Sequence, residues 1–266
     1  MNEEEEEMDE VERKAELPRG GSPLWAAPGE GLVVPGYRRD HESVDPPHDF
    51  PAYRGTLLRH PKQPLIPIPD TLSDVTGPAL GDGRLGERDW DLTAGFDGEP
   101  LGERIVVHGC VLDGNGRPVP DTLVEVWQAN SAGRYWHGVD THPAPLDPNF
   151  TGVGRCVTDA DGRYRFVTIR PGAYPWDNHH NAWRPAHIHF SLFGRAFAQR
   201  LITQMYFAGD PMFPHDPIYN SVRDPRDRER LICELDLDAT VPEWGIGYRF
   251  DIVLRGREQT PFEEAR

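Results

Sequence analysis

From residue 105 onward the sequence consists of short apolar runs separated by turn residues, without helical periodicity between them. The runs Ile105–Leu112 and Thr122–Gln128 flank the turn-forming stretch DGNG at 113–116, and Asp161-Gly162 lies between two further runs. We expect each pair of runs to form a hairpin-like unit. Because strands that follow one another without intervening amphipathic helices favour antiparallel pairing, the sequence predicts an all-β fold with an antiparallel β-sandwich core and long loops.

Four later segments also have the character of strands. They are AHIHFSLF at 186–193, ITQMYF at 202–207, RLICELDL at 230–237 and GYRFDIVL at 247–254. In the last segment, alternation places four apolar residues on one face, namely Tyr248, Phe250, Ile252 and Leu254. The 27 glycines and 27 prolines among 266 residues agree with a globular chain that has many turns.

The N-terminal part has a different composition. Residues 1–50 are acidic, rich in proline and glycine and without sustained periodicity, so we interpret them as an extended arm, either disordered or wrapped around a partner. Residues 51–266 are expected to form the β-sandwich domain, with a short helix in the stretch PDTLSDVTGPAL at 69–80. Three scattered cysteines suit neither a disulfide framework nor a thiolate metal site.

Charge and hydropathy exclude several classes of partner. A formal net charge of -16 argues against nucleic acid and anionic membranes as partners. The N-terminus lacks the basic and apolar regions of a secretory signal, and no apolar run approaches the roughly 18 residues that span a bilayer. We therefore expect a cytoplasmic enzyme.

The stretch WRPAHIHF at 183–190 contains two histidines two residues apart. On a strand, His187 and His189 would point to the same face, as a metal site requires. Two strand histidines also occur simply as hydrogen-bonded rings, so the pair alone leaves metal binding open. No carboxylate follows closely, which disfavours a facial-triad iron site, and the lack of alternating helices disfavours a (β/α)₈ metal hydrolase.

Two tyrosines, Tyr135 and Tyr174, are predicted in glycine- and proline-rich loops that follow strands. A phenol, with a pKa normally about 10, becomes a ligand only where a strongly Lewis-acidic cation stabilises the phenolate, which favours ferric iron over zinc. Two phenolates and one hydroxide would neutralise Fe(III) beside two neutral histidines. A single loop tyrosine is more often an ordinary half-buried aromatic residue, so spacing alone assigns neither.

Seven stretches, taken in order, resemble the intradiol ring-cleaving dioxygenases: VEVWQAN, GRYWH, LDPNF, PGAYPW, WRPAHIHFSL, TQMYFAGDP and YRFDIVLRG. The resemblance implies a β-sandwich core that holds non-haem Fe(III) through Tyr135, Tyr174, His187 and His189. It is strongest to the iron-bearing β subunits of family members built from two kinds of subunit. It therefore implies a homologous α subunit that supplies part of the substrate pocket, within a larger oligomer.

The resemblance also implies an activity. Such an enzyme cleaves protocatechuate (3,4-dihydroxybenzoate) between its hydroxylated carbons, inserting both atoms of O2 to give 3-carboxy-cis,cis-muconate in the β-ketoadipate pathway of aromatic catabolism. Tyr174 would leave the metal as the catechol dianion binds. Arg184 matches an arginine that stabilises negative charge on the ring, and Gln204 a glutamine that helps hold it. Tyr53 matches a tyrosine that contacts the substrate carboxylate, and Trp176 an aromatic residue lining the pocket.

Two alternatives to this activity stay open. One is the same chemistry on another catechol, such as catechol or hydroxyquinol, although those relatives carry an N-terminal helical region and residues 1–50 lack helical periodicity. The other is a non-catalytic β-sandwich module that binds a carbohydrate or a protein. That module would predict loss of the metal-ligand set, yet both tyrosines, both histidines and Arg184 are present.

Overall fold

The computed structural model describes residues 44–63, 85–176, 183–193, 200–254 and 256–263. The predicted arm over 1–50 falls mostly outside these ranges, and the helix predicted at 69–80 falls outside them entirely. Among the described residues, strands far outweigh the three short α-helices, which confirms the all-β class. Within these ranges, no helix has the length and apolar character that crossing a membrane would require.

Strands dominate the described ranges, and the helices connect or cap them. The strands are β1 (Arg104–Leu112), β2 (Leu123–Trp127), β3 (Val153–Val157), β4 (Arg163–Ile169), β5 (Tyr174–Pro175), β6 (Trp183–Arg184), β7 (His187–Phe193), β8 (Arg200–Phe207), β9 (Ile232–Val241), β10 (Gly245–Arg249) and β11 (Ile252–Val253). The helices are α1 (Arg54–Arg59), α2 (Pro217–Ser221) and α3 (Pro225–Glu229), and a 3-10 turn spans Phe213–His215.

Nine of the described strands form one large sheet, in the order β11, β1, β10, β9, β8, β7, β2, β3, with β4 paired to β1. Strands β5 and β6 form a separate ribbon in which Tyr174 lies opposite Arg184. Most neighbouring strands are antiparallel, but β1 runs parallel to β10 and β11, and β8 runs parallel to β9. The sheet is therefore mixed, and the wholly antiparallel arrangement that we predicted is not confirmed.

The two predicted hairpin units are wrong, although their turns form. At the first turn the Asp113 N–H donates to the Arg117 carbonyl at 2.9 Å, yet β1 pairs with β4 while β2 pairs with β3 and β7. At the second, the Gly162 N–H donates to the Asp159 carbonyl at 2.9 Å, yet β3 and β4 belong to different parts of the sheet. Turn chemistry sets the reversal of the chain, whereas burial of apolar faces selects the partner strand.

The part of the sheet around β1 and β4 and the part around β7, β2 and β3 contribute to one apolar core. The ring of Phe190 on β7 lies 5.8 Å from that of Phe166 on β4 and 5.2 Å from that of Phe250, measured between centroids. Each such buried side chain contributes roughly 1.5–3 kcal/mol. The segment at 247–254 is interrupted after β10, but its predicted apolar face is confirmed by the burial of Tyr248, Phe250, Ile252 and Leu254.

Candidate metal centre

The predicted histidine pair lies on β7, with His187 only 2% exposed and the two ring centroids 4.9 Å apart. Nδ1 of His187 donates to the Pro185 carbonyl at 2.8 Å, and Nδ1 of His189 donates to the Glu263 carboxylate at 2.8 Å. Both partners are acceptors only, so Nδ1 carries the ring proton. Nε2 of each ring is therefore the nitrogen that a metal would bind.

Burial keeps the His187 ring neutral, and stacking fixes the plane of the His189 ring. Burial lowers the pKa of His187 well below its ordinary value, and the neighbouring Arg184 and His189 lower it further. Trp127 on β2 stacks on the His189 ring, with centroids 4.7 Å apart and planes only 6° apart. A neutral imidazole in a fixed plane is the form in which histidine binds a metal.

Two glycines bring the loops of the two candidate tyrosines together. Gly133 has a φ of +77°, and a Cβ at this position would lie 2.1 Å from the Ala173 carbonyl oxygen. A Cβ on Gly172 would lie 2.4 Å from a carbonyl oxygen of the opposite loop. Glycine alone permits this approach of two backbones. As a result, the rings of Tyr135 and Tyr174 lie edge to face with centroids 5.2 Å apart.

Both tyrosines lie beside the histidine pair, so the structure brings all four predicted ligands together. The Tyr174 hydroxyl is 3.3 Å from Nε2 of His187, and the ring centroids of Tyr135 and His189 are 6.4 Å apart. The Tyr135 hydroxyl is buried and makes no hydrogen bond of ordinary geometry with any described residue. Its burial, followed by the proximity of Tyr174, raises the pKa of the Tyr135 phenol well above its usual value.

These four side chains fit a bound cation. The Tyr135 hydroxyl is a buried polar atom in need of a partner, and the two imidazoles keep Nε2 lone pairs at the same site. A Lewis-acidic cation would supply that partner and offset the desolvation that disfavours the phenolate. Over the described ranges, no group of three or more His, Cys, Asp or Glu residues is arranged to hold a metal. Tyrosine oxygens are therefore needed to complete a site here.

Arg184 on β6 is 2% exposed and is held by three side chains. Its Nη2 donates to Oε1 of Gln204 at 2.6 Å and to the Tyr206 hydroxyl at 3.0 Å. The Asp216 carboxylate accepts from Nη2 at 3.0 Å and from Nε at 3.3 Å. Burial alone would lower the pKa of Arg184, but Asp216 raises it well above its ordinary value. The guanidinium is therefore charged and fixed in one orientation.

That orientation directs the remaining nitrogen of Arg184 toward the predicted ligands. Nη1 lies 3.0 Å from Nε2 of His187 and 3.4 Å from the Tyr174 hydroxyl. The site thus combines two imidazoles, two phenols and the buried guanidinium of Arg184. The positive charge of Arg184 favours negative charge on any group that binds beside it.

Tyr53 and Trp176, predicted from the family resemblance to contact substrate, lie together beside Arg184. The rings of Tyr53 and Trp176 meet edge to face, with centroids 5.1 Å apart. The Trp176 centroid is 5.3 Å from Cζ of Arg184, within the range of a cation–π contact. The structure therefore places both residues at the site, and their contact with substrate stays a prediction.

Three residues of this network were missed by the sequence analysis: Asp216, Tyr206 and Glu263. Asp216 caps α2, since its Oδ1 accepts from the Ile218 N–H at 3.0 Å. The Asp-Pro pair at 216–217 is a recognisable helix start, so the cap could have been predicted, but not the contact with Arg184. Tyr206 and Glu263 belong to no pattern that would have identified them.

Comparison with known proteins identifies the kind of chain to which these residues belong. Residues 75–256 match a family model described as Dioxygenase, and residues 37–71 match one described as Protocatechuate 3,4-dioxygenase beta subunit N terminal. The chain is 59% identical over 220 residues to a protocatechuate 3,4-dioxygenase beta chain from Burkholderia cepacia, a match that covers 82% of this chain and 93% of that relative.

Two further relatives are less similar. A protocatechuate 3,4-dioxygenase alpha chain from Pseudomonas putida is 32% identical over 213 residues, covering 75% of this chain and 98% of the relative. A catechol 1,2-dioxygenase from Acinetobacter baylyi is 33% identical over 158 residues, covering 54% of this chain and 47% of the relative. The likeness to the beta chain is thus the more extensive and the more specific.

Proposed function

Because the chain belongs to the intradiol ring-cleavage dioxygenase family, we propose that it is the iron-bearing β-type subunit of an enzyme that cleaves protocatechuate with O2 to 3-carboxy-cis,cis-muconate. The observation that carries this proposal is the 59% identity that extends over 93% of the Burkholderia cepacia beta chain. The catechol 1,2-dioxygenase matches over only 47% of its own length, so it supports the shared chemistry more than its substrate.

We propose that Tyr135, Tyr174, His187 and His189 hold a non-haem ferric ion. The proposal is supported by the buried Tyr135 hydroxyl, which lacks a hydrogen-bond partner among the described residues, and by two histidines whose Nδ1 atoms bond acceptors and leave Nε2 for the metal. When bound, ferric iron would act as a Lewis acid that draws electron density from a coordinated catechol ring and makes that ring reactive toward O2.

Tyr174 is suited to exchange a proton with the substrate. Its hydroxyl lies 3.4 Å from Nη1 of Arg184 and 3.3 Å from Nε2 of His187, so it is held at the edge of the proposed metal site. A catechol hydroxyl that arrives beside this oxygen can transfer its proton to it. Arg184 is thereby positioned to exchange its contact with the Tyr174 oxygen for a contact with the bound substrate.

Arg184 also stabilises negative charge that develops on the ring during the reaction. Its orientation is set in advance by Asp216 and Gln204, so little reorganisation is needed when that charge appears. Preorganised donors of this kind lower the barrier more than donors that must reorient. Tyr53 and Trp176 would line the pocket, where a phenol can donate to the substrate carboxylate and an indole can pack on the ring.

We propose further that the chain pairs with a homologous α subunit within a larger oligomer. The similarity to a beta chain and, more distantly, to an alpha chain of protocatechuate 3,4-dioxygenase supports this assembly. Residues 1–50 would form the arm that packs against a partner, and residues 51–266 the catalytic domain. The apolar core shared by both parts of the sheet supports a β-sandwich description of that domain.

A visible absorption spectrum tests this function. The protein is purified after co-expression with an α-type gene, and the spectrum is recorded before and after anaerobic addition of protocatechuate. We expect a tyrosinate-to-iron(III) band that shifts when the substrate is added. Protein that stays colourless after loading with ferrous iron in air would reject the iron site and the activity together.

A further inference from the structure

One carboxylate joins the predicted metal site to the network around Arg184. Oε2 of Glu263 accepts a hydrogen bond from Nδ1 of His189 at 2.8 Å and another from Nε2 of Gln204 at 2.9 Å. The amide oxygen of the same Gln204 accepts from Arg184. Glu263 is therefore linked directly to one predicted ligand and, through one amide, to the buried guanidinium.

The register of two strands makes this shared contact possible. His189 on β7 and Gln204 on β8 are directly opposite each other in an antiparallel pair. Opposed residues point to the same face of a sheet with their side chains close together. A single acceptor placed over that pair can therefore receive an N–H from each.

The C-terminal segment places Glu263 at this position by contacts that do not involve its carboxylate. The Glu263 backbone N–H donates to the Ile202 carbonyl at 3.0 Å, and Oγ1 of Thr203 donates to the Pro261 carbonyl at 2.7 Å. The neighbouring side chain of Phe262 is 8% exposed and packs in the main apolar core. Truncation of the Glu263 side chain should therefore leave the segment docked on β8.

Glu263 lies outside the residues that match the Dioxygenase model, which end at 256. Its side chain is only 15% exposed. The group is thus a nearly buried carboxylate aimed at one predicted ligand.

We propose that Glu263 is a positioning residue for the iron site. It fixes the tautomer and orientation of the His189 ring, and its hydrogen bond to Gln204 holds the amide that accepts from Arg184. This inference rests on the proposed function, since it concerns how this chain holds iron. A carboxylate at Nδ1 keeps the lone pair of the imidazole at Nε2 and makes that nitrogen a stronger donor. The Trp127 stack sets the ring plane from one side, and Glu263 sets its rotation within that plane.

The test measures how firmly iron is held. The chain is co-expressed with an α-type gene as the unaltered protein and as Glu263→Ala, Glu263→Gln and Glu258→Ala. Iron release is followed as loss of the visible band after addition of excess EDTA, and total iron is measured before addition. Glu258 is the matched control, because it is a carboxylate of the same segment that bonds the surface residue Arg230 instead. Circular dichroism and gel filtration of the metal-free proteins check folding and assembly.

We expect Glu263→Ala to release iron faster than the unaltered protein, because loss of a partner of a metal-bound histidine lowers metal affinity roughly 10- to 100-fold. Glu263→Gln keeps an acceptor oxygen of the same reach but without charge, and should release iron at an intermediate rate. Glu258→Ala should match the unaltered protein.

Three results would overturn the inference, and they differ in what else they reject. Equal release from Glu263→Ala and Glu258→Ala would remove the role of Glu263 while leaving the proposed function intact. Equal release from Glu263→Gln and Glu263→Ala would show that the acceptor at Nδ1 does not position the ring. An unaltered protein that takes up no iron would reject the inference together with the proposed function.

Discussion

The buried ion pair between Arg184 and Asp216 provides a quantitative test of the network. Their side chains are 2% and 0% exposed, so neither charge has access to water once its partner is removed. Loss of one member of such a pair costs about 3–5 kcal/mol, because the other charge stays buried and uncompensated. We therefore expect Asp216→Asn to lower the free energy of unfolding by about that amount.

The substitution isolates the ion pair because it preserves the helix cap. Asn caps helices about as well as Asp, so its Oδ1 can still accept from the Ile218 N–H. The new amide nitrogen would instead face Nη2 of Arg184 and the Tyr206 hydroxyl, which are donors at this position in the native contacts. The cost therefore arises from the lost charge and from opposed donors, and not from the helix.

A second N-cap aspartate serves as the matched control. Asp224 caps α3 and pairs with Arg226, but these side chains are 36% and 84% exposed. Because water screens exposed pairs, Asp224→Asn should cost far less than Asp216→Asn. Urea unfolding of the metal-free proteins, all at the same protein concentration, measures the loss of unfolding free energy in each variant. A cost for Asp216→Asn as small as that for Asp224→Asn would refute the reasoning that burial makes this pair important.

Other consequences of the site can be measured separately. Tyr174→Phe should weaken the tyrosinate-to-iron band while iron stays bound, and an unchanged spectrum with full iron content would contradict its role as a ligand. Arg184→Ser should lower kcat roughly 10²- to 10³-fold with a smaller change in KM, because its charge acts chiefly as the ring becomes anionic; a change confined to KM would contradict this. Burial raises the pKa of Cys156 and of Cys233 to about 12, so at pH 8 only about one in ten thousand of these thiols is ionised and neither should react with a thiol reagent until urea is added. Rapid labelling of more than one of the three thiols in the native protein would contradict the buried placement.

The prediction of individual strands depended on local information and was largely successful. Alternation over 186–193 predicted β7 and placed His187 and His189 on one face, because the side-chain period of a strand is two residues whatever its partners are. The turns at 113–116 and 159–162 formed for a similar reason, since they depend on the conformations of a few adjacent residues.

The same local information could not predict how the strands pair. Each of these two turns joins strands that pair elsewhere, and the sheet includes parallel neighbours that no hairpin pattern reveals. Which strands become neighbours depends on how all the apolar faces are buried at once. The pairing of β1 with β10, for example, joins segments that are more than a hundred residues apart in the chain.

The same distinction between local and non-local information applies to the candidate site. The sequence by itself predicted the candidate ligands Tyr135, Tyr174, His187 and His189, through strand spacing of the histidines and through the resemblance to the intradiol dioxygenases. Only the tertiary structure decided which groups orient them: Asp216 is 32 residues from Arg184, and Glu263 is 74 residues from His189. Among the 44 acidic residues, nothing in their immediate sequence distinguishes these two. Folding places Asp216 against the Arg184 guanidinium and Glu263 against the His189 imidazole. That proximity is a property of the packed sheet alone.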